Sequence, residues 1–254
     1  MIKERRWPWV ARQVWRDLLF MHWPVPLSNI RPYVPAPFEI ETYNGQAWIS
    51  IVPFRATFNG PRGMPGKIPF SDYLELNVRT YVNYKGESGV FFFSFDANSM
   101  IAVTGARKLF SLPYIHASMS AKKDGKSIEF ISHRKHNGYP EAILSVRYTP
   151  VNERPTTASK GSLTEWLVER YCFWTLIGKK IYKGPILHSP WDLQRVEVDT
   201  QMDQLLDFLG TEHFKEKPLT HYCKQKKVKL FPFENRGTTD STFDVLNFLK
   251  TMNR

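Results

Sequence analysis

Residues 73–82, Tyr-Leu-Glu-Leu-Asn-Val-Arg-Thr-Tyr-Val, carry side chains that can do chemistry at a regular spacing. On an extended strand successive side chains point to opposite faces. Tyr73, Glu75, Asn77, Arg79 and Tyr81 then share one face, and Leu74, Leu76, Val78, Thr80 and Val82 the other. Each step along the polar face is about 7 Å. An acid, an amide and an arginine in line can hold a polar ligand if that face lines a barrel lumen. On a solvated outer face the same residues form a weak ion pair contributing about 0–1 kcal/mol. The pattern alone leaves both placements open.

A second candidate pair is Tyr114 and His116, two residues apart and on one face if a strand starts at Pro113. Both exchange protons, so they are candidates for a general acid/base couple, or else hydrogen-bonded barrel filling. His22 and Trp23 precede Pro24 and either line the mouth of a pocket or pack at a strand end. His133 and His136 suit a metal only on a helix, and their surroundings read as strand and loop, so no metal is expected. Cys172 and Cys223 are too few for a disulfide framework or a four-ligand zinc site. The chain has no Walker loop, dinucleotide fingerprint, His-Glu-x-x-His helix or Gly-x-Ser-x-Gly elbow, and no cofactor is expected.

The elements that must position these residues are mostly strands. Residues 73–84 and 90–96 flank a Lys-Gly-Glu-Ser-Gly turn and read as a hairpin. A second hairpin spans 116–121 and 127–134, and 142–149 is a further strand. Residues 45–54 are apolar and β-rich, 60–69 read as a loop, and 100–106 as a strand or short helix. Ser162-Leu-Thr-Glu165 has the form of a capping box, and the spacing of Leu163, Leu167, Tyr171 and Trp174 predicts a helix over 163–176. Strands are expected at 180–188, 193–200 and 226–231, with a second helix at 201–208. The expectation is a single domain over 1–235 and a polar tail over 236–254. Strands at this spacing suggest a barrel or sandwich.

The 254 residues are 42% hydrophobic and 23% charged, which excludes a disordered or fibrous chain. The net charge of +11 and the 15% aromatic content are compatible with nucleic acid. The cations are spread along the chain, however, so no specific nucleic-acid binding is expected. No apolar run reaches the roughly 20 residues of a membrane helix, and no h-region follows the basic N-terminus. The expected compartment is the cytoplasm.

Several stretches resemble a known family. These are Trp-Arg-Asp-Leu-Leu-Phe-Met-His-Trp-Pro-Val-Pro at 15–26, Arg-Pro-Tyr-Val-Pro at 31–35, Leu-Asn-Val-Arg-Thr-Tyr-Val at 76–82 and Leu-Pro-Tyr-Ile-His-Ala at 112–117. With His188-x-Pro190-Trp191-x-Leu193-Gln194 they resemble the YqjF-like family of uncharacterised proteins over residues 8–233. A more distant similarity is to acetoacetate decarboxylases. Val34-Pro35-Ala36-Pro37-Phe38-Glu39-Ile40 is similar to their Val-Pro-Glu-Pro-Leu-Glu-Ile. Ile101-Ala102-Val103, with Gly105 and Pro113, is similar to their Ile-Ala-Val-Gly…Tyr-Pro-Lys-Lys. The resemblance implies a mainly β (α+β) fold: a closed, cone-shaped antiparallel barrel with a few helices, a pocket inside it and a homo-oligomeric assembly. It favours the lumen placement of Glu75, Asn77 and Arg79. Arg16, counted back from Val34-Pro35, falls where the decarboxylases carry an active-site arginine, although beside Trp15 and Asp17 it is also a candidate surface ion-pair partner.

The same resemblance argues against the decarboxylase reaction. Those enzymes form a Schiff base through a lysine after this proline, an amine activated by desolvation and a neighbouring cation. Here Tyr114 and Ile115 follow Pro113, and neither has an amine. Lys108 lies earlier, out of register. The expectation is a barrel pocket for a small anionic or oxo-acid-like molecule, without Schiff-base decarboxylation. The alternatives are a non-catalytic interaction protein with a filled barrel, and a peripheral binder of acidic membranes through Lys3 to Trp7.

Overall fold

A computed structural model describes residues 8–63 and 72–243, with 248 and 250; the side chains of 108–110 and 242 fall outside that description. Thirteen strands dominate the described residues. They are β1 (Ala11–Val25), β2 (Glu39–Ile40), β3 (Ala47–Pro61), β4 (Tyr73–Tyr84), β5 (Glu87–Ala97), β6 (Tyr114–His116), β7 (Ser118–Asp124), β8 (Ser127–Arg134), β9 (Ala142–Pro150), β10 (Cys172–Leu187), β11 (Val196–Asp203), β12 (Leu219–Leu230) and β13 (Glu234–Phe243). The helices are α1 (Leu27–Ile30), α2 (Met100–Phe110) and α3 (Leu163–Val168).

The larger sheet has the order β13-β10-β12-β1-β3-β4-β5-β6, with β2 beside β4. A parallel pair, Phe173 with Val90, also joins β10 to β5. The pairings therefore run in a circuit through β10, β12, β1, β3, β4 and β5. The smaller sheet, β11-β9-β8-β7, is antiparallel. It covers the outer face of the first: Leu74, Leu76 and Val78 of β4 share one apolar cluster with Phe130, Leu144 and Val146. A second cluster, with Leu18, Phe20, Val52, Phe54 and Trp191, fills part of the space inside the circuit.

The hairpin at 73–96 forms as expected. β4 and β5 pair antiparallel from Glu75–Ala97 to Tyr84–Glu87. Lys85 and Gly86 both take positive φ, 51° and 80°, which matches the twist a two-residue hairpin turn needs. The 116–134 hairpin also forms, as β7 and β8. The ambiguous segment at 100–106 is helical, capped by the Ser99 side chain, which accepts from the amide of Ala102.

Three expectations are corrected. The N-cap at Ser162 forms: its Oγ accepts from the Glu165 amide at 3.1 Å, while the Glu165 carboxylate accepts from the Gly161 amide, one residue before the cap, at 2.5 Å. The helix nevertheless stops at Val168, because Glu169 leaves helical geometry at ψ 73°. From Cys172 onward the aromatic and β-branched run pairs with neighbouring strands. The helix expected at 201–208 is instead the end of β11, whose residues alternate in exposure, followed by a single 3-10 turn at Asp207–Leu209. Residues 234–243, expected mostly within a polar tail, form β13 against β10; a two-residue period with few apolar side chains concealed that strand. Of the loop expected at 60–69, residues 60 and 61 close β3, and 64–69 lie outside the described residues. No helix among the described residues is long and apolar enough to cross a membrane.

The seam between β10 and β5 depends on a missing side chain. A Cβ on Gly89 would stand 2.7 Å from the Trp174 indole and 3.0 Å from the Cys172 carbonyl. Trp174 is fully buried and the carbonyl is backbone, so neither yields cheaply. Gly89→Ala is expected to lower stability by about 1–3 kcal/mol, the usual range for overpacking, read from the urea midpoint. An unchanged midpoint would mean that the seam is loose.

Candidate functional site

Strand β4 is buried on both faces. Its apolar face packs on the smaller sheet, and its polar face lines a cavity of about 420 Å³ inside the strand circuit. Tyr73, Glu75, Asn77 and Arg79 all reach that cavity. The opposite walls are largely aromatic and aliphatic, with Trp15, Phe20, Phe92 and Trp191 prominent. Ile101 of α2 also lines it and is 79% exposed, so the cavity reaches the surface there. A more open groove of about 700 Å³ includes Trp9, Arg12 and Lys229, but no carboxyl group lines it among the described residues.

One end of the cavity is acidic. Glu75 is 4% exposed. Tyr114 Oη donates to Glu75 Oε2 at 2.9 Å. Tyr73 and Asn77 also bond the carboxyl, and Gln13 Nε2 donates to Tyr73 Oη at 3.3 Å. Burial pushes the Glu75 pKa up to about 7, with the bonds from Tyr114, Tyr73 and Asn77 pulling the other way. Burial first, then the Glu75 charge, raises both tyrosines well above their ordinary range. The carboxyl is thus the group that exchanges protons near neutrality, while both phenols stay protonated. Asn77 Oδ1 is buried and has no partner.

The other end is cationic. Arg79 Nε and Nη2 are sealed from water and have no hydrogen-bond partner. Its guanidinium lies 5.7 Å from the centre of the Phe20 ring and bonds Tyr81. Burial lowers its pKa, with nearby Arg170 adding to the effect. Arg170 Nη1 donates to Glu41 Oε2 at 2.5 Å and its Nε to the Trp166 carbonyl at 2.7 Å, while Nη2 is unpaired. Arg170 also lines the cavity. Behind Arg79, Ser50 Oγ lies 2.5 Å from Tyr81 Oη and 2.6 Å from His22 Nδ1. Burial holds His22 well below its ordinary pKa, helped by His221 and Arg79, and burial brings His221 down to about 4.

Residues 12–227 match the DUF2071 family, described as an uncharacterized conserved protein. The chain belongs to the DUF2071 family. It is 43% identical over 224 residues to the uncharacterized protein YqjF of Bacillus subtilis, covering 88% of this chain and 91% of that one. Its fold is that of the acetoacetate decarboxylases: the enzyme from Legionella pneumophila superposes with a TM-score of 0.62 at 15% identity, over 95% of this chain and 94% of that one. The enduracididine biosynthesis enzyme MppR, complexed with pyruvate, superposes at 0.60 with 8% identity, over 93% and 94%. Both resemblances read from the sequence are therefore shown at the level of family and fold.

In this DUF2071 chain the expected site residues divide. Glu75, Asn77, Arg79 and Tyr114 meet at the one cavity. His116 does not join them. Tyr114 bonds Glu75, whereas the His116 ring lies 6.5 Å from that of His136, so these two residues form no acid/base couple. The short strand β6 ends at His116, where the chain leaves the cavity. His22 is buried one layer behind Arg79 rather than at a mouth.

Arg16 points away from the cavity. Its Nε donates to Thr57 Oγ1 at 3.3 Å and its guanidinium lies 5.9 Å from the Phe58 ring centre. The reason is a bulge. Asp17 has φ 53°, and the β1–β3 register slips between Arg16 and Met21. Gln13 and Trp15 face the cavity before the bulge, and Leu18 and Phe20 after it. Simple alternation back from Phe20 would have aimed Arg16 inward.

Alternation along β4 puts Tyr73 on the cavity face without giving it a role, and Arg170 falls inside the helix expected over 163–176. A Trp-x-x-x-Arg spacing carries no signal that a strand follows. No lysine lines the cavity among the described residues; the Lys108 side chain is outside that set.

Glu75 binds its proton more tightly in the fold than in the open chain. Its contribution is therefore fully present below the carboxyl's ordinary pKa of 4.5 and is lost as pH rises through about 7. The loss is on the order of 3 kcal/mol. Glu75→Gln keeps the shape without the charge. It is expected to match wild type near pH 4 and to be more stable by about 1–3 kcal/mol at pH 8, read from urea unfolding across that range. Parallel pH profiles for the two proteins would show Glu75 ionising normally.

Proposed function

We propose that the protein binds a small organic anion, of the carboxylate or oxo-acid type, in this cavity. Arg79 anchors the anion, and Glu75, held by the Tyr114 hydroxyl, is the proton-exchanging group of the same cavity. The observation that carries the reading is the Arg79 guanidinium, buried with two unpaired nitrogens at the cavity wall. Guanidinium nitrogens shut off from water without a hydrogen bond carry a desolvation penalty, and an anion at that wall removes it. Glu75, titrating near pH 7, has both protonation states available for acid or base work.

The pyruvate complex of MppR, on the same fold, supports an oxo acid as a ligand class. Tyr114 and Ile115 after Pro113 support a reaction, if any, that does not pass through an imine. A cavity of about 420 Å³ weighs against a barrel filled by its own side chains. The membrane reading rested on residues 3–7, which lie outside the described residues. Cys172 and Cys223 are buried and are not joined in a disulfide, which fits a reducing cytoplasm.

Calorimetric titration with pyruvate and short carboxylates tests the anchor. Arg79→Ala is expected to weaken binding about 10- to 150-fold, the loss of one charge-assisted contact worth about 1.5–3 kcal/mol. Equal binding by the variant would remove Arg79 from the site. A separate test targets the imine. Borohydride treatment in the presence of acetoacetate is expected to leave the protein mass unchanged, and a lysine adduct, for instance at Lys108, would restore the decarboxylase-type reading.

A further inference from the structure

The acid and the cation of this cavity stand at opposite ends of it. Glu75 and Arg79 are four residues apart on β4, so their backbones are separated by about 13 Å at a strand rise of about 3.3 Å. The side chains bond different partners and not each other. Glu75 is bonded by Tyr114, Tyr73 and Asn77. Arg79 leans the other way, toward Tyr81, Phe20 and Arg170. A three- or four-carbon oxo acid holds its carboxylate and its ketone carbon only about 1.5–2.5 Å apart, one or two C–C bonds. Such a molecule cannot engage both ends at once.

The space between the ends is apolar. Leu18, Phe20, Val52, Phe54 and Trp191 belong to one buried cluster, and all of them line the cavity. Its 420 Å³ would hold on the order of a dozen waters at about 30 Å³ each, well beyond the needs of a six-atom acid. The polar groups come in a fixed order along β4: a proton-exchanging carboxyl, the unpaired acceptor Asn77 Oδ1, then the unpaired donors of Arg79. Arg170 Nη2 adds one more free donor at the cationic end.

We propose that the ligand is an elongated amphipathic carboxylate: an acidic head at Arg79 and Arg170, an acyl or aryl body along Leu18, Phe20 and Val52, and a far end beside Glu75 and Tyr114. This deepens the anion-pocket reading and rests on it. The body supplies affinity by leaving water, and the two guanidinium groups fix its direction. The far end is then the part of the molecule that meets the acid, so any proton transfer occurs remote from the carboxylate.

The test is a calorimetric series of straight-chain carboxylates from acetate to decanoate, with 1-octanol and pyruvate as comparisons, on the full-length protein at pH 6. Affinity is expected to rise about fourfold per methylene up to about eight carbons and then to flatten, as each buried CH₂ contributes its transfer free energy until the cavity is full. Octanoate should bind at least tenfold tighter than 1-octanol, and Arg79→Ala should erase that difference. Val52→Phe, which fills the middle of the cavity, should remove the gain in affinity with chain length; its melting temperature verifies folding, and the wild-type series decides if the variant fails to fold. If pyruvate binds as tightly as octanoate and affinity does not depend on length, the elongated ligand is wrong and the anion anchor stands. If 1-octanol matches octanoate, or no acid binds, the anchor is wrong and this inference falls with it.

Discussion

Strand β4 takes a row of polar and ionisable side chains out of water, and the site is arranged around the cost of doing so. A strand exposed on one face would leave Glu75, Asn77 and Arg79 solvated. Here the smaller sheet covers one face of β4, and the strand circuit encloses the other. Each buried polar group must then find a partner or carry a penalty of about 1–3 kcal/mol or more. Glu75 finds three partners and moves to its neutral form near physiological pH. Arg79 has no neutral form to retreat to, because guanidinium stays protonated at any ordinary pH.

Arg107 and Arg170 each keep one buried unpaired nitrogen, whereas three other cations are more fully engaged. Arg134 is closed by Asp96, at 2.9 and 3.1 Å, and by Ser94 at 3.1 Å. Lys226 is spent on Asp192, Ser189 and the Pro190 carbonyl, and fastens the turn that carries Trp191. Arg31 caps three carbonyls between Val34 and Phe38. Against those engaged cations, Arg79 is the described residue with two buried unpaired nitrogens, and it stands at a cavity wall. Departures of this kind gather at functional sites, where the partner comes from outside the chain.

How much of this was legible in the sequence follows from which signals are local. The alternation in residues 73–82 is a property of one strand, so the shared face of Glu75, Asn77 and Arg79 could be read without coordinates. Whether that face looked inward could not, because burial of β4 depends on strands distant in the chain, such as β10. The family stretches supplied the fold. They misplaced Arg16, since a bulge at Asp17 reverses alternation and has no clear mark in a run of ordinary residues. Arg170 and β10 were lost together. The capping box at Ser162 is a true start signal, but the stop at Val168 is imposed by pairing of Cys172 onward with β5 and β13. Tyr114 and His116 shared a face on paper, yet the strand that carries them is three residues long.

The distance between the two ends of the cavity is what keeps both of them usable. An arginine beside Glu75 would pair with the carboxylate, draw its pKa down and spend the guanidinium donors in the same contact. A carboxylate beside Arg79 would do the same from the other side. Their four-residue separation along β4 prevents this, and the intervening Asn77 gives its side chain to Glu75 while keeping Oδ1 unpaired. Tyr114 completes the separation at the acid end. A lysine at that position would place a cation next to Glu75, form an ion pair with it and hold it ionised. The phenol instead donates a neutral hydrogen bond, so burial dominates and the carboxyl stays near the point of taking up its proton. A phenol at Tyr114 therefore does more than supply a hydrogen bond: it leaves the neighbouring carboxyl as the group that titrates.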